Sequence, residues 1–241
     1  DGSRFTNYTG DLSAVFGCLV RLGTTGCGYE QHLESMKRAL SPGRNPGFLR
    51  TDAFLAVLIV ADEDDCSALP GGAMFGDPTA TVTSALGPRT SFRCFEFGDQ
   101  CVNDPDPRAF GPRTECIPRA SSPYMPTPQP YVDFLRGLKA DPRGVVVGGI
   151  IGDVSADRHA EVVPDPDDAT RPALAPSCQG ANGVAAPGFR LQTFLDAFAL
   201  HSVATICNDN PSDALADFEL LTRRPGLLGQ KGAVGGNRGN Y

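Results

Sequence analysis

Apolar positions along the chain follow two kinds of pattern. Between residues 28 and 40, Tyr29, Leu33, Met36 and Leu40 recur at steps of four, three and four. Gln31, Glu34, Lys37 and Arg38 take the opposite face. That spacing predicts an amphipathic helix, stopped by Pro42 and Gly43. Residues 11–22 repeat the pattern with Leu12, Val15, Phe16 and Leu19 on one side. So do residues 131–140, with Phe134, Leu135 and Leu138 inward and Pro130 in the first turn, where its missing N–H costs nothing. Two further helices are predicted over 188–201 (Phe189, Phe194, Leu195, Phe198) and 211–223 (Leu215, Phe218, Leu221). Two other stretches are continuously apolar, FLAVLIVA at 54–61 and VVVGGII at Val145–Ile151. They read as strands covered on both faces, and Thr205-Ile206-Cys207 reads as a third, short one.

Strand, crossover helix and strand is the grammar of a parallel sheet. The expected fold class is α/β, a Rossmann-like open parallel sheet flanked by helices. A single domain is expected over 1–225, with a flexible Gly/Asn-rich tail over 226–241. The crossover carries a long Cys-, Pro- and Gly-rich insertion over 66–129. With no apparent core of its own, that insertion needs disulfides or a metal to order it. Residues 156–179 read as an acidic, Pro-rich loop.

Composition narrows the function. The formal charge of −7 argues against a nucleic-acid surface, and no apolar run approaches the length of a membrane span. Eight cysteines, none in a C-x-x-C pair, accompany only three histidines, a poor basis for a zinc site. An even number spread through loops points instead to disulfides and an extracytoplasmic location. Cys178–Cys207 is the favoured pair, because the two flank a helix whose ends must be tied to the sheet; Cys18–Cys27 is second. The sequence opens without an initiator Met or signal peptide, so targeting is expected to lie upstream or to have been removed.

Ligands of open α/β sheets bind beyond the carboxyl ends of the strands. The first strand ends in Asp62-Glu63-Asp64-Asp65 and the second in Gly152-Asp153. Adjacent carboxylates repel at a cost of about a kcal/mol per close pair, which either water or a hard divalent cation relieves. The plain alternative is a solvated acidic turn. On the cation reading Asp62 and Asp64 are the leading ligands, Ca2+ is favoured over Mg2+ or Mn2+, and Asp153 closes the site. His159 adds a nitrogen if the ion is softer. Glu63 then points away and Asp65 caps the following turn. No nucleophile elbow supports a Ser-His-Asp triad. His32 falls on the polar side of its helix and reads as a solvated residue.

The blocks GTTGCGYEQHLESMKRAL (23–40) and NPGFLRTDAFLAVLIVADEDDCS (45–67) resemble the von Willebrand factor A-like domains of secreted proteins and lipoproteins from myxobacteria and related bacteria. The likeness continues through 131–153 and from Ser177-Cys178 to Cys207. It implies a metal-ion-dependent adhesion site at the top of the sheet, with Asp62 as the aspartate ending the fourth strand and Thr24 or Thr25 as the loop threonine. The family's Asp-x-Ser-x-Ser motif is absent, so the fold is read as a truncated version, its metal site completed from Glu30, Asp11 or Asp153. The resemblance implies an adhesion or interaction domain whose partner is a protein or a small acidic or phosphate ligand. The alternative is a metal-dependent phosphoester hydrolase using Asp62, Asp64 and His159. Loss of a central strand would leave residues 54–61 with a bare edge, open to a homodimer.

Overall fold

The structure is a computed structural model and describes residues 10–223 apart from 22, 24, 25, 27, 104 and 105. At its centre lie three parallel strands, β1 (Leu55–Ala61), β5 (Val145–Ile151) and β10 (His201–Thr205), in the order β1-β5-β10. The register runs Leu55 opposite Val145 through Ala61 opposite Ile151, and His201 opposite Val147 through Thr205 opposite Ile151. All seven residues of β5 are buried, as its unbroken apolar sequence predicts. Gly148 and Gly149 are there for close approach. A Cβ on Gly148 would strike Phe218, and one on Gly149 would strike Leu195.

Helices α2 (His32–Leu40), α4 (Gln129–Gly137), α5 (Phe189–Asp196) and α6 (Ser212–Arg223) flank this sheet. Leu33 and Leu40 of α2, Val132 and Leu135 of α4, and Leu191, Phe194 and Leu195 of α5 join Leu55, Ile59 and Ile151 in one apolar core. Burying each such side chain contributes about 1.5–3 kcal/mol. The predicted parallel α/β layer is thus present. Helix α1 (Leu12–Leu19) forms where expected, with Asp11 accepting from the Ser13 N–H as its cap. Among the described residues its apolar side is left open: Phe16 and Leu19 are 62% and 68% exposed.

Two expectations need correction. Residues 156–179 are not simply a loop, because they supply β6 (Ala160–Pro164), β7 (Pro172–Leu174) and the start of β8 (Cys178–Gly180). β6 lies between β3 (Gly111–Arg113) and β7 in an antiparallel sheet, and β8 pairs with β9 (Gly183–Ala185). Nor does the insertion lack a core. Helix α3 (Phe92–Gly98), followed by the short paired strands β2 (Asp99–Gln100) and β4 (Ile117–Pro118), presents Phe92 and Phe95 to Cys116, Ala160, Val162 and Phe189. Disulfides Cys66–Cys94 and Cys101–Cys116 tie it. Buried Arg93 donates to the carbonyls of Met74, Gly76, Gly87 and Pro88. Arg108 holds those of Val82, Ser84 and Ala85, and pairs with Glu96 at 2.7 Å. The loops therefore wind around guanidinium groups that satisfy their carbonyls, which a Pro/Gly-rich chain cannot do by laddering alone.

The favoured pair Cys178–Cys207 is a disulfide. Cys18 is an exposed free thiol, and Cys27, with which it was paired in second place, lies outside the described residues, as does the tail 226–241. Among the described residues no helix is long and apolar enough to cross a membrane.

Candidate functional site at the carboxyl end of β1

The four acids that follow β1 divide into an inner and an outer pair. Asp64 turns inward and takes up both carboxylate oxygens on backbone N–H groups: Oδ2 accepts from Arg190 at 2.8 Å, and Oδ1 from Leu191 at 3.0 Å and Asp65 at 2.8 Å. It thereby caps the first turn of α5, where the N–H groups have no partner within the helix. Burial still raises its carboxyl to about 6, against the lowering effect of Arg190 and these hydrogen bonds. Asp65 is fully buried. Its Oδ1 accepts from the Leu33 N–H at 3.0 Å and the Ser67 hydroxyl at 2.6 Å, while the Ser67 oxygen accepts from the Glu34 N–H at 2.9 Å. This pair caps α2, which is why the helix begins at His32 rather than at residue 28.

Both inner acids converge on Arg190, 1% exposed. Its guanidinium reaches Asp65 Oδ2 at 3.2 Å and donates to the carbonyls of Asp65, Gly98 and Pro126. A buried charge pair is tolerated when every remaining donor finds an acceptor, and here the guanidinium is shared between the sheet and the insertion. One signal of this is visible in the sequence, an arginine between the apolar Phe189 and Leu191.

Of the outer acids, Asp62 is exposed and Glu63 lies against the insertion. Glu63 is half-buried, and its carboxyl is raised to about 7 by burial, then by the neighbouring Glu30 and Asp62 charges and a hydrogen bond to Glu30. Glu30 Oε2 and His32 Nδ1 are buried atoms without a hydrogen-bond partner. His32 is thus not the solvated residue expected: burial lowers its pKa, opposed by Asp65, Glu30 and Asp62. Beside them runs a groove of about 780 Å3, with Met36, Ala39, Leu40 and Phe48 on one wall and the length of β1 on the other. Among the described residues β1 pairs only with β5, so no described strand covers its outer edge, and Val60 is 57% exposed.

The residues anticipated as metal ligands are not gathered at one point. Glu30 and Asp62 neighbour Glu63, Asp64 is directed into the first turn of α5, and Asp153 shares a separate cavity with His159. Thr25 lies outside the described residues. Among the described residues no group of three or more His, Cys, Asp or Glu is arranged to hold a metal ion. The donor set does not fit a hard cation, which needs several free oxygens, because the acid best placed inside the sheet already accepts three N–H bonds.

No protein-family model, curated protein or solved structure matches the chain.

Proposed function

We propose that the chain is an extracytoplasmic interaction module of the von Willebrand A-like kind, binding a protein partner through the open side of β1 rather than catalysing a reaction. The observation that carries this reading is that, among the described residues, the outer edge of β1 has no partner strand and borders an apolar groove. Unpaired strand edges are templates for another strand, and strand addition is a recurrent mode of peptide recognition. One end of the groove carries Glu30, whose charge acts on the neighbouring Glu63. The occupant that fits is an extended segment of another protein with alternating apolar residues and a Lys or Arg at the end beside Ala61. Three disulfides among the described residues support an oxidising compartment.

The test is a titration with strand-forming peptides of alternating Val and Thr, ending in Lys or in Glu, followed by fluorescence anisotropy. The Lys-ended peptide should bind more tightly. N-methylation of alternate backbone amides and the variant Val57→Pro should each abolish binding. Light scattering on the same samples reports whether a second copy takes the groove instead. A chain that stays monomeric and binds neither peptide overturns the proposal.

A further inference from the structure

A second cavity, independent of the β1 edge, lies between the strand-end acids and the insertion. Its volume is about 130 Å3, far above the roughly 10–15 Å3 that admits one water. Two polar atoms on its lining residues are buried and have no hydrogen-bond partner, Asp99 Oδ1 and Thr90 Oγ1. Asp99 is only 3% exposed. Leaving a buried acceptor unmade costs about 1–3 kcal/mol, and more for a charged one. The charges near Asp99 are Asp64, Arg190, Arg158 and Arg119, and burial together with Asp64 holds its carboxyl well above the usual range despite the three arginines. Those arginines do not satisfy Oδ1, and Arg119 Nε is itself without a partner.

Asp64 is already engaged by three N–H groups. Asp165, which also lines the cavity, accepts at Oδ1 from the N–H groups of Asp167 and Asp168. The remaining side-chain acceptors are Asp99, Thr90, Glu63, the Ser91 hydroxyl and the second Asp165 oxygen, while Phe92, Phe95 and Leu174 supply apolar wall. A calcium-like ion takes six to eight converging oxygens, and among the described residues no group of three or more acidic side chains is arranged to hold one. A primary ammonium has three N–H donors and a hydrocarbon stem, and aromatic rings attract its charge. We propose that this cavity binds a primary alkylammonium group, hydrogen-bonded to Asp99, Thr90 and Glu63, with its carbon chain against Phe92, Phe95 and Leu174.

The ammonium can belong to a free amine or to a lysine side chain, and one experiment separates them. The intact, oxidised chain is titrated by calorimetry with n-butylammonium and with N-acetyl-lysine methylamide, and tetramethylammonium and Ca2+ serve as competitors. Saturable binding of n-butylammonium is expected, with no displacement by tetramethylammonium, which lacks N–H donors, or by Ca2+. Tighter binding of the lysine derivative assigns the site to a partner's lysine, and weaker binding assigns it to a free amine. Thr90→Val should weaken binding about tenfold or more through loss of a charge-assisted hydrogen bond, and Asp99→Asn should weaken it further. If Asp99→Asn does not fold, Thr90→Val alone decides. Absence of saturable n-butylammonium binding, displacement by Ca2+, or unchanged affinity in a folded Thr90→Val chain overturns the proposal.

Discussion

At the scale of single residues, neighbouring carboxylates do opposite work. Asp65 completes the environment of buried Arg190 and caps α2, whereas Asp62 is exposed beyond the end of β1. Removing one partner of a buried ion pair costs about 3–5 kcal/mol, because the other charge stays buried. Urea denaturation should therefore show Asp65→Ala destabilised by that order and Asp62→Ala changed by less than about 1 kcal/mol; equal effects would refute this division. Glu63 bears a different signature. Its carboxyl is raised from 4.5 to about 7, so between those values the folded state holds a proton that the unfolded chain has released, and stability falls as pH rises. His32, with its pKa lowered below 6.5, acts oppositely, losing stability as pH falls through 6.5. The difference between Glu63→Gln and the parent isolates the Glu63 contribution. The variant should gain relative stability as pH rises from about 4.5 to 7 and level off above; a difference independent of pH would refute it. The sequence marked the acids at the strand end as unusual. It could not assign them, because their partners, the N–H groups of Leu33, Arg190 and Leu191, lie 32, 126 and 127 positions away.

At the scale of elements, periodicity was sufficient wherever one apolar face decides the outcome. The strand predicted at Val145–Ile151 has the same bounds in the structure, and the helix predicted over 131–140 is α4, with Pro130 in its first turn. Boundaries drifted where a distant side chain sets them, as Asp65 does for α2. The strands of 156–179 were illegible because they are three to five residues long and are ordered by their partners, β6 and β7 by the insertion's core and β8 by β9 and the Cys207 disulfide. Local covalent ties matter most in such segments. Cys178–Cys207 joins β8 to the turn after β10 and closes 29 positions of chain. Loop-closure entropy then assigns it about 3–4 kcal/mol. The double variant Cys178→Ser/Cys207→Ser should lose about that much in urea melts, and a loss below about 1 kcal/mol would show that the unfolded chain is barely constrained by it.

At the scale of the whole molecule, two packed layers meet at one junction. The parallel sheet and its helices form one core, the insertion and β6–β7 a second, and α5 belongs to both: Leu191, Phe194 and Leu195 enter the first, Phe189 the second. Arg190 stands between them, reaching Asp65 behind β1, Gly98 at the end of α3 and Pro126 ahead of α4. The two cores share α5 and the contacts of Arg190. Cooperativity therefore depends on the contacts that lapse when either melts. With Arg190 intact, heating should give a single calorimetric transition whose van't Hoff and calorimetric enthalpies agree, as for a cooperative unit. Arg190→Met keeps a long apolar side chain but frees the Gly98 and Pro126 carbonyls and leaves Asp65 uncompensated, so both layers lose their shared partner. The variant should unfold with a calorimetric enthalpy exceeding the van't Hoff value, or in two resolved peaks. Adding Asp65→Asn to it removes the uncompensated charge and should restore part of the stability without restoring the single transition. If Arg190→Met instead melts as one two-state peak merely shifted to lower temperature, the layers are coupled through the apolar contacts of α5, and the arginine serves only to neutralise Asp65.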